Sequence, residues 1–250
     1  MRQGKCIALV AAVMVAFAGV AVATPVGFTE DFTGPALDPA WVQGSYAAGH
    51  IGIVGGSYYM TALQGGGFNP KLSRSDTGDA NALLSYTHAI SVVLNPFALT
   101  GGGGTQSDFK WKSFGPNGFM EIVLNSFGDM RLFHNDTSSG GNIQPNTNIG
   151  YADGDVLDLV VNYDAGLDAL DVTYELNGGG AIPFYSGNGI NGTVGDLISN
   201  FVEVEVFKWG ASEGTPFVGI DEWNLDAIPE PSMIALFGIG GLALILRRRK

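Results

Sequence analysis

Residues 157–176 read LDLVVNYDAGLDALDVTYEL, and the spacing of their apolar side chains decides the fold class. Leu157, Leu159, Val161 and Tyr163 recur at every second position. So do Leu170, Val172, Tyr174 and Leu176, with Asp171, Thr173 and Glu175 between them. Successive side chains of a strand point to opposite faces, so a period of two marks strands with one buried face. Asp164-Ala165-Gly166-Leu167-Asp168 joins the two runs and predicts a hairpin loop.

The same pattern extends in both directions. Val202, Val204 and Val206 alternate with Glu203, Glu205 and Phe207. Met120, Ile122 and Leu124 alternate with Glu121 and Asn125, and Ser126 to Asp129 turns the chain into Met130–His134. Further strands are expected at 28–32, 51–54, 58–63, 82–93, 108–114, 182–185 and 217–225. Glycines cluster at 65–67, 101–104, 140–141 and 178–180 among Asn, Asp, Ser and Thr, which reads as turns between strands. No long stretch has helical periodicity, and no internal repeat indicates a propeller or a β-helix. Around a dozen antiparallel strands can bury their apolar faces by packing two sheets together, so the class is all-β, an antiparallel β-sandwich.

The two ends differ from this middle. Arg2 and Lys5 precede an apolar stretch from Ile7 to Val22, closed by Ala21-Val22-Ala23. Basic, apolar, then small is the order of a secretory signal peptide, and it predicts cleavage by signal peptidase after Ala23, with Ala21 and Ala23 as the small residues. The one cysteine, Cys6, leaves with that segment, so no disulfide is available to the remainder. At the other end Pro229-Glu230-Pro231-Ser232 precedes an apolar run from Met233 to Leu246, and Arg247, Arg248, Arg249 and Lys250 follow. As a helix that run spans about 21 Å, short of a hydrocarbon core of about 30 Å, and Gly238, Gly240 and Gly241 weaken it further. It is expected to be a short transmembrane helix suited to temporary retention, with the basic cluster on the cytoplasmic side.

Three units result: a signal peptide at 1–23, a sandwich domain at 24–228 and a sorting segment at 229–250. The middle unit holds six basic residues and all the acidic ones except Glu230, 23 of 24, a net charge of −17. Such a surface repels nucleic acid and acidic polymers, and the sequence shows no basic patch.

The terminal Pro-Glu-Pro triplet, short apolar helix and Arg-rich end resemble the PEP-CTERM sorting signal of Gram-negative bacteria. The resemblance covers about the last 22 residues. It implies that Pro229, Glu230 and Pro231 are the recognition motif of an exosortase-like membrane enzyme. It further implies transient anchoring in the inner membrane, then transfer to the cell surface or exterior, and association with exopolysaccharide or biofilm matrix. Within the middle unit, Glu30-Asp31-Phe32-Thr33-Gly34 through Leu37-Asp38-Pro39-Ala40-Trp41, the hairpin 163–178 and Ile220-Asp221-Glu222-Trp223-Asn224-Leu225 resemble concanavalin A-like, laminin-G-like jelly rolls. That resemblance implies that the last strand pairs beside the first.

Chemistry-bearing residues are sparse. Glycoside hydrolysis needs two carboxylates across a cleft. The Glu-x-Asp-x-x-Glu strand pattern of the glucanase branch of this fold does not occur, and Glu203-Val204-Glu205 lacks a third acid at that spacing. His50, His88 and His134 stand apart, without a Gly-x-Ser-x-Gly elbow or zinc-ligand spacing. No catalytic residue is assigned, and a non-enzymatic role is expected. Ca²⁺ is the one cofactor the residues could serve, through Asp153-Gly154-Asp155 or through Asp31 and Asp221 on neighbouring first and last strands. Neither set is a complete ligand list. The fold makes carbohydrate binding the functional alternative, with Tyr46, Tyr58 and Trp209 as rings for sugar stacking and extracellular polysaccharide as the partner. Trp111, between Lys110 and Lys112, is expected to face the core.

Overall fold

The computed structural model describes residues 27–44, 51–61, 69–75, 85–95, 107–115, 118–136, 140–188, 201–208 and 217–228. All regular structure in them is β: β1 (Phe28–Glu30), β2 (Trp41–Gly44), β3 (Ile51–Val54), β4 (Ser57–Thr61), β5 (Lys71–Arg74), β6 (Ser85–Asn95), β7 (Ser107–Gly115), β8 (Gly118–Asn125), β9 (Asp129–Asp136), β10 (Gly140–Asn148), β11 (Val156–Asp164), β12 (Ala169–Leu176), β13 (Ile182–Asn188), β14 (Phe201–Lys208) and β15 (Phe217–Ile228). They form two antiparallel sheets. Sheet A runs β13-β12-β11-β6-β15-β4-β3, with β1 also pairing to β15. Sheet B runs β10-β9-β8-β7-β14-β5-β2.

The 157–176 stretch folds as its pattern predicts. β11 and β12 pair from Leu157↔Leu176 to Asp164↔Ala169. Leu157, Leu159, Val161, Tyr163, Leu170 and Val172 are buried between the sheets. Asp168 closes the hairpin at φ 50°, a left-handed conformation that a short polar side chain tolerates. The last strand does lie beside the first, with Phe28 opposite Leu225 and Glu30 opposite Trp223. Three strands escaped the sequence reading, β2, β5 and β10. The first two have only four residues, and β10 is polar, carries Pro145 and lies at a sheet edge.

The chain crosses between sheets immediately after β1. Phe32 makes the turn at φ 52°, a region costly for a non-glycine residue. Compensation is visible around it. The Phe32 backbone N–H donates to Glu30 Oε1 at 3.1 Å, and the ring is fully buried, 5.6 Å from Tyr58. The other oxygen of Glu30 accepts from Trp41 Nε1 at 2.9 Å, tying the start of β2 in sheet B to β1 in sheet A.

Trp223 sits where the two sheets meet. It is fully buried, 4.8 Å from the Trp41 ring and 6.0 Å from Phe28. Its indole N–H donates to His88 Nε2 at 2.7 Å. An indole nitrogen can only donate, so Nε2 is the acceptor and the imidazole hydrogen is on Nδ1. Nδ1 then faces Ser113 Oγ of sheet B at 3.4 Å, and the ring packs 4.4 Å from Trp111. Burial pushes the His88 pKa down to about 3.

Two outcomes follow for stability. Trp223→Ala is expected to lower unfolding free energy by about 3–5 kcal/mol, read as a reduced urea midpoint at unchanged slope. His88 is neutral in the fold, but the unfolded chain takes up a proton near pH 6.5, so acid favours unfolding. From pH 6.5 downward the stability should fall by up to about 1.4 kcal/mol per pH unit. In His88→Met the part of that slope between pH 6.5 and 5, above the carboxylate range, should disappear.

Candidate functional site

The sequence-selected residues are scattered. Tyr46, Trp209, Ala21, Ala23, Pro229, Glu230 and Pro231 lie outside the described residues. Tyr58 corrects an expectation: it is fully buried, packed on Phe32, and its hydroxyl accepts from Gln43 Nε2 at 3.0 Å, so no sugar can stack on it. Trp111 is a core residue, as its alternation with two lysines implied.

Asp31 and Asp221 each have a separate partner. Asp31 accepts from the Thr33 backbone N–H and hydroxyl, which hold its pKa below the usual carboxylate range. Asp221, at a bulge in β15, accepts from Ser57 Oγ of β4. Asp155 is taken up by Asn177 Nδ2 and the Ala152 N–H, each at 2.7 Å. Among the described residues, no group of three or more His, Cys, Asp or Glu could hold a metal ion.

A different constellation is assembled on the outer face of sheet B. The valines of β14 point inward, so Glu203 and Glu205 point outward, and strand register fixes their neighbours. One row reads Ser73, Glu203, Lys112, Glu121 and Phe133 across β5, β14, β7, β8 and β9. The adjacent row reads Lys71, Glu205, Lys110, Val123 and Arg131. Lys112, Glu121, Glu203 and Glu205 are all buried although they leave the core side of the sheet.

Lys112 Nζ lies 3.1 Å from Glu203 and is bonded to Glu205. Lys71 Nζ reaches the same two carboxylates at 3.3 and 3.7 Å. Burial alone would discharge Lys112, but the hydrogen bonds and charges of Glu205 and Glu203 outweigh it and raise its pKa. The Glu205 carboxyl is likewise pushed up by burial and pulled down further by Lys112, Lys71 and Lys110. Glu121 goes the other way. Burial raises its pKa against the opposing pull of Lys110, Lys112 and Arg131. Arg131 Nη2 is 4.0 Å from its carboxylate.

Aromatic rings complete the face. Phe114, Phe119 and Phe133 project on the same side from β7, β8 and β9, each half-buried. Their centroids are 5.4 Å apart for the first pair and 6.3 Å for the second, and the Arg131 guanidinium lies 5.7 Å from the Phe133 centroid. Buried, mutually neutralised charges cost desolvation energy that a hydrophobic row would avoid, so they are poor stabilisers and good markers of a working surface. Fixed donors and acceptors beside an apolar strip are what ligand orientation requires, and here neighbouring rings of the strip are tilted by 42° and 40°. The sequence reading missed the phenylalanines because it sought Trp and Tyr. The signal available was their parity with Lys110, Lys112, Glu121 and Arg131.

Comparison with known proteins adds two findings. Residues 227–250 match the PEP-CTERM protein-sorting motif, which marks the chain for export sorting through its C-terminal segment. The fold is shared with lectins. The basic winged bean lectin solved with Tn-antigen superposes with a TM-score of 0.59 at 11% identity, over 83% of this chain and 100% of that one. Lectin II from Ulex europaeus gives 0.54 at 13%, over 82% and 99%. The GH43 protein BlXynB from Bacillus licheniformis gives 0.53 at 13%, over 80% of this chain and 39% of the other. No curated protein matches in sequence. The molecule is therefore a lectin-like, concanavalin A-type β-sandwich carrying a PEP-CTERM sorting motif at residues 227–250.

Proposed function

We propose that this is an exported, non-catalytic component of the cell surface or extracellular matrix that engages extracellular polysaccharide through the outer face of sheet B. The carrying observation is the strip of Phe114, Phe119 and Phe133 beside the buried row Glu203, Lys112 and Glu121. Sugar rings present apolar C–H faces and polar edges, so an aromatic strip flanked by fixed charges matches both. The lectin-like fold of the neighbours supports this reading without assigning a ligand.

Export fits the two termini. Signal peptidase removes 1–23, the apolar C-terminal segment retains the domain briefly at the inner membrane, and an exosortase-like enzyme acts at Pro229-Glu230-Pro231. The bonds that Lys112 and Lys71 make to both Glu203 and Glu205 support binding over hydrolysis. A carboxylate held as an ion pair with two lysines is a poor general acid and a hindered nucleophile. We propose no obligatory cofactor, with Ca²⁺ as the ion to vary.

A glycan array probed with the full-length protein in detergent, with and without Ca²⁺, should show oligosaccharide binding, and Phe119→Ala should weaken it by about tenfold, the scale of one aromatic contact. Silence across the array with natively folded protein would discard the binding reading. Turnover of a bound oligosaccharide, lost in Glu121→Gln, would overturn the non-catalytic one. In cells, replacing Pro229-Glu230-Pro231 by alanines should leave the protein membrane-bound. Fractionation that finds it released as before would break the link between the motif and sorting.

A further inference from the structure

We infer that the β9 side of the sheet B face takes a sugar unit bearing a carboxylate, a uronic acid, with Arg131 as the residue that selects it. This rests on the saccharide reading above and adds the chemical class of the ligand.

The cations on this face are not equally occupied. Lys71 and Lys112 share two carboxylates at hydrogen-bond or ion-pair distance. Among the described residues Arg131 is paired only with Glu121, and at 4.0 Å that contact lies beyond hydrogen-bond range. Its Nε is buried and has no hydrogen-bond partner among the described residues. A guanidinium presents its donors in a planar fork that matches a carboxylate, and with Nε covered and the side chain 31% exposed, the end-on pair of Nη groups is the part of that fork open to a ligand. That open end borders the aromatic strip: the guanidinium lies over Phe133, and Phe133 neighbours Phe119. A sugar ring seated on Phe119 and Phe133 would carry an equatorial substituent towards Arg131.

The net charge of −17 over 24–228 would seem to forbid an acidic ligand. The local field decides otherwise. Solution ions screen exposed charges beyond about 8 Å, so distant carboxylates contribute little. Four of the six basic residues of 24–228, Lys71, Lys110, Lys112 and Arg131, emerge on this one face. Glu121 feels three of them, Lys110, Lys112 and Arg131, against a single opposing carboxylate, Glu205. Burial also favours the neutral form of Glu121, which reduces its repulsion of an incoming anion.

The test uses a matched pair, α-1,4-linked galacturonic acid trimer and galactose trimer, which differ in bearing a carboxylate or a hydroxymethyl group at C6. Titrated into full-length protein in detergent at 0.15 M salt, the acidic trimer should bind at least tenfold tighter. Arg131→Gln should remove that preference, so that the two trimers bind alike, with an unchanged circular dichroism spectrum reporting an intact fold. Arg131→Lys, with the charge but not the fork, should restore only part of it. Equal affinity for the two trimers, or undiminished acid preference in Arg131→Gln, overturns the inference and leaves saccharide binding standing. Failure to bind either trimer, together with a silent array, removes both.

Discussion

The contact on which the architecture depends is the hydrogen bond from Trp223 to His88, inside a core that has no disulfide to replace it. Trp223 belongs to β15, the strand that sheet A is built around, with β6 on one side and β4 and β1 on the other. His88 is on β6 and faces Ser113 of sheet B. One indole therefore fixes the pairing of two central strands, the tautomer of a buried imidazole and the spacing of the sheets. An apolar substitute would fill the volume but would leave His88 Nε2 without its donor, and unsatisfied buried polar groups cost more than the bond contributes. The opening segment completes the same cluster. Glu30 binds Trp41 across the sheets, and Arg74 covers Phe28 and Trp41 at 4.8 and 5.4 Å.

That arrangement explains how the outer face of sheet B can carry charged rows at all. The inward side of β14, β7 and β8 supplies Val202, Val204, Val206, Phe109, Met120, Ile122 and Leu124 to the core. Cohesion is secured there, and the opposite side of the same strands is free to hold groups chosen for something other than stability. Lys112 illustrates the separation. Its backbone is held by two neighbouring strands, while its ammonium is held by two carboxylates from one of them.

Period-two alternation made the fold class legible, because a strand with one face on a core must repeat every second residue. It also placed Trp111 and the valines of β14 correctly. It could not place β2 or β5, since each has a single apolar side chain on its buried face, Trp41 and Leu72, nor β10, whose edge position removes the need for an apolar face. The site was less legible for a different reason. Lys71, the pair Lys110 and Lys112, Glu121, Arg131 and the pair Glu203 and Glu205 lie on five different strands, and only strand register makes them neighbours. A linear reading saw dispersed charge and a uniformly acidic surface. Tyr58 failed as a surface ring for a related reason. Position in a strand gives two faces, and sequence alone did not say which face of so short a strand met the core.

Identity of 11–13% to lectins and to a GH43 protein shows how little of a sandwich is specified residue by residue. What must persist is alternation, turn chemistry and enough core volume, and many sequences satisfy these. The outward positions escape that filter. They are where chains of one fold diverge, and where this chain keeps Lys112, Glu121, Glu203 and Glu205 buried, a row that apolar side chains could replace at little cost in stability. Function is therefore better read from that face than from ancestry of the fold. Lys112 and Lys71 hold Glu203 and Glu205 as a closed ion-pair cluster, so the groups of that face already satisfy one another and are fixed in place before anything meets them.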